Sequence, residues 1–208
     1  MSQHKYDANL FPVLVRQITN VLTHDECEKI VSSLHLLQFG PHDALAGDAV
    51  SSFHPSIESS RTALDDIEKV VSVKQNLLVH LNEYARDYGM KAASIDNSWV
   101  NVQRPGSELN FHTHPSSMIS GALYLKADEA SSKLGFANPN PYLEMTEVLN
   151  LTSYTFKIVS IQPETGSLFL FPSWLRHGSL GRNLSPERIV LSFNATALRH
   201  QPQRSAAV

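Results

Sequence analysis

Cysteine is nearly missing from this chain. Cys27 stands alone among 208 residues, so no disulfide can close within the molecule and no zinc site can be built on cysteines. Long apolar runs are missing as well. No stretch approaches the ~20 apolar residues that a membrane-spanning helix needs. Residues 1–7 are polar and lack the basic-then-apolar pattern of a secretory leader. There is no positive excess either: 17 Lys and Arg stand against 20 Asp and Glu, a formal net charge of −3. Such a balance offers no field for gripping a phosphate backbone. The expectation is a soluble, cytoplasmic protein with neither nucleic acid nor membrane as partner.

What is present describes a globular chain. Hydrophobic residues make up 42% and charged residues 18%, which excludes disorder and fibrous repeats. A chain of this length buries roughly 70% of its unfolded surface, so it needs no metal or staple merely to fold. One domain over 1–208 is expected, with no internal repeat or low-complexity tract.

The N-terminal part reads as helical support, about 20–90. Leu10 to Val15 is a short apolar stretch that reads as a first strand. Thr23-His24-Asp25-Glu26 has the form of a capping box, and Ile30, Val31, Leu34 and Leu37 follow at helical spacing, which predicts a helix over about 24–38 that ends near Gly40. Residues 40–62 read as a long surface loop. A second helix is predicted from Asp65 or Asp66 to Tyr88, with Ile67, Val70, Val71, Leu77, Leu78, Leu81, Tyr84 and Tyr88 as its apolar stripe and Gly89 as its stop.

From Ile95 the pattern changes to short β-rich segments separated by Pro, Gly, Asn and Ser. Strands are predicted near 95–104, 109–114, 117–126, 134–137, 154–161, 167–171 and 187–197, with a frayed tail over 198–208. Strands at this spacing suggest an antiparallel sandwich or jelly roll, with the helices packed on one outer face.

Ten histidines are the unusual number in the composition. In His112-Thr113-His114 the two imidazoles stand at i and i+2, which share a face on a strand and can hold one metal. Two histidines at a strand end are the plain alternative. His177 lies 63 residues after His114, just beyond the apolar run Phe171-Pro172-Ser173-Trp174-Leu175, which places it at a sheet edge or barrel mouth. Three histidines from two strands can converge on one ion and leave positions open for substrate. The other seven read as surface or packing residues. In 187–197, Arg188, Val190, Ser192 and Asn194 share one face, and Ile189, Leu191 and Phe193 the other. Arg188, eleven residues after His177, could offer a bidentate fork to a carboxylate or simply pair with Glu187 or Glu164.

Taken together these residues resemble the iron(II)- and 2-oxoglutarate-dependent dioxygenases. The surrounding text carries the resemblance: Ser98-Trp99-Val100-Asn101, His112-Thr113-His114-Pro115-Ser116-Ser117, Ser120-Gly121-Ala122-Leu123-Tyr124-Leu125, Phe171 through His177, and Arg188-Ile189-Val190-Leu191-Ser192-Phe193-Asn194. They are similar to an oxygenase subfamily found in marine bacteria and phages, over roughly residues 8–197. The resemblance implies a double-stranded β-helix with iron at one open end. It implies His112, His114 and His177 as iron ligands and Arg188 on the distal carboxylate of 2-oxoglutarate. It also implies hydroxylation of an unidentified substrate, with succinate and CO2 as co-products. The superfamily's usual motif is His-x-Asp or His-x-Glu; His114 departs from it and raises the net charge of the site by one. Gln103, Asn101, Tyr124 and Ser192 are candidate contacts to the cosubstrate, while Trp99 and Trp174 suit the core or the mouth.

Two other readings share these residues. A three-histidine zinc lyase or hydrolase would use the same ligands to activate water but has no use for Arg188. A non-catalytic jelly-roll binding module with a vestigial site would account for His114 in place of a carboxylate. Loops 40–62 and 127–153 should carry specificity, and neither holds a readable code for the substrate. A homodimer is compatible with the sequence, which does not encode it.

Overall fold

The computed structural model describes residues 11–54, 62–145, 147 and 150–198. Along the chain run β1 (Arg16–Ile18), α1 (His24–Ser33), a 3-10 turn (Leu34–Leu36), β2 (Leu45–Ala46), β3 (Ala49–Ser51), α2 (Ala63–Glu68) and α3 (Lys74–Asp87). There follow β4 (Ala92–Gln103), β5 (Glu108–Leu109), β6 (Ile119–Lys126), β7 (Lys133–Ala137), α4 (Tyr142–Met145), β8 (Ile158–Ile161), β9 (Leu168–Pro172), β10 (His177–Leu180) and β11 (Arg188–Leu198). The tail beyond 198, residues 55–61 of the expected loop and residue Leu10 of the expected first strand lie outside the described residues, as do His4 and His200.

All strand pairing between the named strands is antiparallel. A six-stranded sheet has the order β1-β9-β6-β11-β4-β3, a three-stranded sheet the order β10-β7-β8, and β2 pairs with β5. The period-2 alternation of the strands sorts their side chains into two layers. Val100, Val102, Ile119, Leu123, Leu125, Leu168, Leu170, Ile189, Leu191 and Phe193 turn toward Ile30, Leu64, Ile67, Leu77, Leu81 and Tyr84 of α1, α2 and α3. Ala122, Tyr124, Phe169, Phe171 and Val190 turn the other way and meet Leu134 and Phe136 of the small sheet and Leu175. Phe136 and Phe171 touch edge to face with centroids 5.2 Å apart. Helices therefore cover one face of the large sheet, and the other closes on the small sheet as the expected jelly roll.

The capping box forms as read: Glu26 Oε2 accepts from Thr23 N (2.8 Å) and Thr23 Oγ1 from Glu26 N (3.3 Å). β10 and α4 were not expected as elements, and the strand expected over 154–161 is the shorter β8, Ile158–Ile161. Four further differences have a local reason. The first strand is β1 rather than 10–15: Tyr84 donates to Leu14 O (2.8 Å) and Tyr88 accepts from Leu14 N (3.2 Å), so α3 rather than a ladder satisfies this backbone. The single helix over 65–88 is two, because the Glu68 carboxylate accepts from Val73 N (2.8 Å), Lys74 N (2.7 Å) and Ser72 Oγ (2.8 Å) and starts α3 anew. The 40–62 loop contains β2 and β3. Residues 109–114 are no continuous strand. Their amides go to separate partners, Asn110 N to Ala44 O (2.8 Å), His112 N to His177 O (2.9 Å) and His114 N to Ser173 O (2.9 Å).

Among the described residues no helix is long and apolar enough to cross a membrane.

Candidate metal and cosubstrate site

The three candidate histidines meet although only one of them lies on a regular strand. His177 opens β10, the edge strand of the small sheet, and exchanges two backbone bonds with His112 (2.9 and 3.0 Å). His114 is tied by its amide to Ser173 at the turn between β9 and β10. One nitrogen from each ring falls within 4.8 Å of the others, and the ring centroids are 4.5–5.0 Å apart.

The far nitrogen of each ring is occupied. His112 Nδ1 lies 2.7 Å from Asn110 O, and His177 Nδ1 2.9 Å from Leu175 O. A carbonyl can only accept, so both Nδ1 atoms carry the proton and both Nε2 lone pairs face inward. His114 Nδ1 lies 2.5 Å from Asn194 Oδ1 and 2.9 Å from Ser120 Oγ. Burial, followed by the charge of its neighbours, pushes His177 down to about 3. Burial and then His112 push His114 down to about 4. Burial also lowers His112. Each shift favours the neutral ring, the form in which a histidine binds a metal.

These residues fit a metal. His112 Nε2 and His114 Nε2 are 3.0 Å apart; two ligands at about 2.1 Å from one ion and at right angles are separated by about 3.0 Å. The donor set is imidazole from one side only, which leaves coordination positions open.

Arg188, at the start of β11, is 2% exposed. Its Nη1 donates to Gln103 Oε1, across the β11–β4 ladder where the two residues are paired, and its Nη2 donates to Tyr124 OH at 2.8 Å. The guanidinium carbon lies 4.9 Å from the Tyr124 ring centroid. Among the described residues no carboxylate pairs with it, and Arg188 Nε and Gln103 Nε2 have no hydrogen-bond partner. A buried cation without an anion costs several kcal/mol, so the position is suited to an anionic ligand.

A cavity of about 500 Å³ joins the two features: His112, His114, His177 and Arg188 all line it, with Asn101, Tyr124, Ser192 and Asn194. This is the size range of small-ligand sites. Gln103 is 1% exposed and lies behind Arg188 rather than on the wall. Trp99 lines the cavity and packs T-shaped against His114 (ring centroids 5.6 Å apart), whereas Trp174 is exposed.

Sequence reasoning missed His42 and Phe53. His42 was expected to be a surface or packing residue; it lines the cavity, 5.3 Å from the Phe53 ring, with its Nδ1 accepting from Ala44 N (3.1 Å). The 40–62 loop thus supplies wall residues, while 127–153 contributes Leu134 alone among the described residues. No periodicity marks His42 or Phe53. Asn194, by contrast, shares the Arg188 face by simple alternation.

Comparison with known proteins agrees with this geometry. A family described as "Putative 2OG-Fe(II) oxygenase" matches residues 97–194, which include every candidate ligand and Arg188. No curated protein matches the sequence. Among solved structures, HygX from Streptomyces hygroscopicus, with nickel and 2-oxoglutarate bound, is 14% identical with a TM-score of 0.61, covering 93% of this chain and 89% of its own. An oxidoreductase of the 2OG-Fe(II) oxygenase family from Burkholderia pseudomallei is 14% identical, TM-score 0.60, covering 88% and 85%. A Pseudomonas putida prolyl-4-hydroxylase is 15% identical, TM-score 0.50, covering 88% and 92%. These likenesses show the fold, the double-stranded β-helix.

Proposed function

We propose that this chain, whose residues 97–194 match the 2OG-Fe(II) oxygenase family, holds iron(II) on His112, His114 and His177 and hydroxylates a substrate not yet identified. One observation carries the reading: three inward-facing imidazoles share a cavity with a buried arginine that no carboxylate of the described chain neutralises. The family's metal and cosubstrate are iron(II) and 2-oxoglutarate. When bound, iron would supply the oxidising chemistry, with O2 as oxidant: one oxygen atom goes to the substrate C–H and the other to 2-oxoglutarate, which leaves as succinate and CO2.

The chain's own residues have positioning work. Arg188 binds the far carboxylate of 2-oxoglutarate, and Gln103 and Tyr124 hold the guanidinium in place from behind and beside. Its planar fork fixes the direction of the diacid as well as its charge. The carbonyls of Asn110 and Leu175 keep two imidazoles turned inward with Nε2 unprotonated. Asn101 and Ser192 line the cavity where they can bond the cosubstrate's oxygens. Phe171, Val190 and Leu134 form the dry part of the wall and exclude water from the reacting centre. His42, Phe53 and Trp99 form the aromatic side, where the primary substrate would lie.

A zinc hydrolase would use the three histidines but leave the Arg188 clamp without a purpose. The test is anaerobic titration of the protein with iron(II) and then 2-oxoglutarate, followed by succinate release on admitting oxygen. Stoichiometric binding of both and oxygen-dependent succinate are expected. Tight zinc binding without any 2-oxoglutarate binding would overturn the proposal.

A further inference from the structure

The orientation of His114 is set differently from that of its two neighbours. His112 and His177 each point Nδ1 at a backbone carbonyl, which leaves the tautomer no choice. His114 Nδ1 faces a side-chain amide, and an amide can turn either end toward it. If Asn194 presented its NH2 group, Nδ1 would have to accept, the proton would move to Nε2, and the ring could not bind a cation there. If Asn194 presents oxygen, Nδ1 keeps the proton and Nε2 offers its lone pair.

The surroundings of Asn194 choose the second case. Asn194 Nδ2 lies 3.1 Å from Asn97 Oδ1, to which it donates, so the oxygen end is turned toward His114 at 2.5 Å. Ser120 Oγ donates to the same oxygen at 2.9 Å and touches Ser173 Oγ at 2.8 Å. Ser120 and Ser173 are fully buried and Asn194 is 8% exposed, so water does not compete freely for these groups. Asn97 and Asn194 are directly opposed in the β4–β11 ladder, and Ser120 opposes Asn194 from β6 on the other side. Three neighbouring strands thus fix one amide.

From this network we infer that Asn194 is the positioning residue that makes His114 a metal ligand, by holding it in the Nδ1–H tautomer. The inference rests on the proposed three-histidine site. It also accounts for the 3.0 Å approach of His112 Nε2 to His114 Nε2. With both Nδ1 atoms protonated, two lone pairs face each other there, which a cation reconciles and a hydrogen bond does not.

Loss of a group that orients a ligating histidine typically weakens metal binding by about 10–100-fold. The experiment has two readouts. Long-range ¹H–¹⁵N NMR of the metal-free protein reads the tautomer of each histidine, and titration with cobalt(II) reads affinity in wild type, Asn194→Ala and Asn194→Asp. Wild-type His114 is expected as Nδ1–H. Asn194→Ala should lose that preference and bind cobalt about 10–100-fold more weakly. Asn194→Asp keeps an acceptor at the same place, and the Ser120 hydroxyl can still donate to it. It should retain the Nδ1–H tautomer and bind cobalt at least as tightly as wild type. Should Asn194→Ala fail to fold, the wild-type spectrum and Asn194→Asp still decide. An Nε2–H tautomer in the wild type, or unchanged tautomer and affinity in Asn194→Ala, would overturn the inference. A wild type that binds no cobalt yet shows the expected tautomer would remove the metal site while leaving the role of Asn194 in place.

Discussion

Arg188 and Gly121 show how much a single position decides. Arg188→Ala removes the cation from a closed pocket and leaves Gln103 and Tyr124 without their partner. It should weaken 2-oxoglutarate binding by about 2–5 kcal/mol, the usual cost of losing one side of a buried charge pair. Metal affinity should stay near wild type, since Arg188 is not a ligand. Arg188→Lys restores the charge but not the fork, so only part of the affinity should return. Calorimetric titration of the metal-loaded variants checks all three statements. Gly121 answers to sterics alone. A Cβ there would sit 2.1 Å from Phe193 Cζ, within the ring that fills the space above it. Gly121→Ala should cost about 1–3 kcal/mol through overpacking. Gly40, where a Cβ meets open space, should tolerate alanine within about 0.5 kcal/mol. Urea midpoints of the two variants give the comparison.

The break between α2 and α3 depends on one carboxylate. Glu68 closes the chain onto Val73, Lys74 and Ser72. Burial would raise its pKa, but the backbone bonds from Lys74 and Val73 and the Ser72 hydroxyl outweigh it and hold the net value below normal. A carboxylate held low in the folded state stabilises above the unfolded pKa, and that contribution disappears as pH falls through the folded value. Glu68→Ala should therefore cost about 1 kcal/mol at pH 7, like other lost caps, and progressively less as pH falls below the ordinary carboxylate range; urea unfolding across that fall in pH tests it. This same contact was invisible in the sequence, where apolar spacing runs straight through 65–88 and a cap looks like any surface glutamate. What the sequence could show was what repeats: the alternation that puts Arg188, Ser192 and Asn194 on one face of β11, and the Thr23–Glu26 box. The site was legible through His112, His114, His177 and Arg188. The strand geometry assumed for the first two was not what brings them together. Backbone bonds to His177 and Ser173, distant in the sequence, do that, and no local pattern encodes such bonds. The placement of His42 and Phe53 depends in the same way on how a loop folds over the barrel.

For the molecule as a whole, ligands and protons should act on stability through the same cavity. A ligand bound only by the folded state at 100 times its Kd adds about 2.7 kcal/mol, roughly 5–10 °C for a chain of this size. Metal and 2-oxoglutarate should each raise Tm, and Arg188→Ala should lose the second increment but keep the first. Differential scanning fluorimetry reads this. In the metal-free protein, His177 and His114 are pushed down to about 3 and about 4, whereas in the unfolded chain they titrate near 6.5. The unfolded state then takes up protons first. Stability should be level above about pH 7 and fall as pH drops through 6.5 toward 4, visible as falling urea midpoints. The strand order has a consequence for biosynthesis. β11, formed by residues 188–198, lies between β6 and β4 in the middle of the large sheet, so until it arrives the β1-β9-β6 and β4-β3 parts of that sheet are not joined. A ribosome that has delivered the chain only as far as the three histidines has delivered neither the strand that joins the two parts of the large sheet nor Asn194. Nascent chains arrested before residue 188 should remain protease-sensitive and dependent on chaperones, and the whole barrel should close in one late step once β11 emerges.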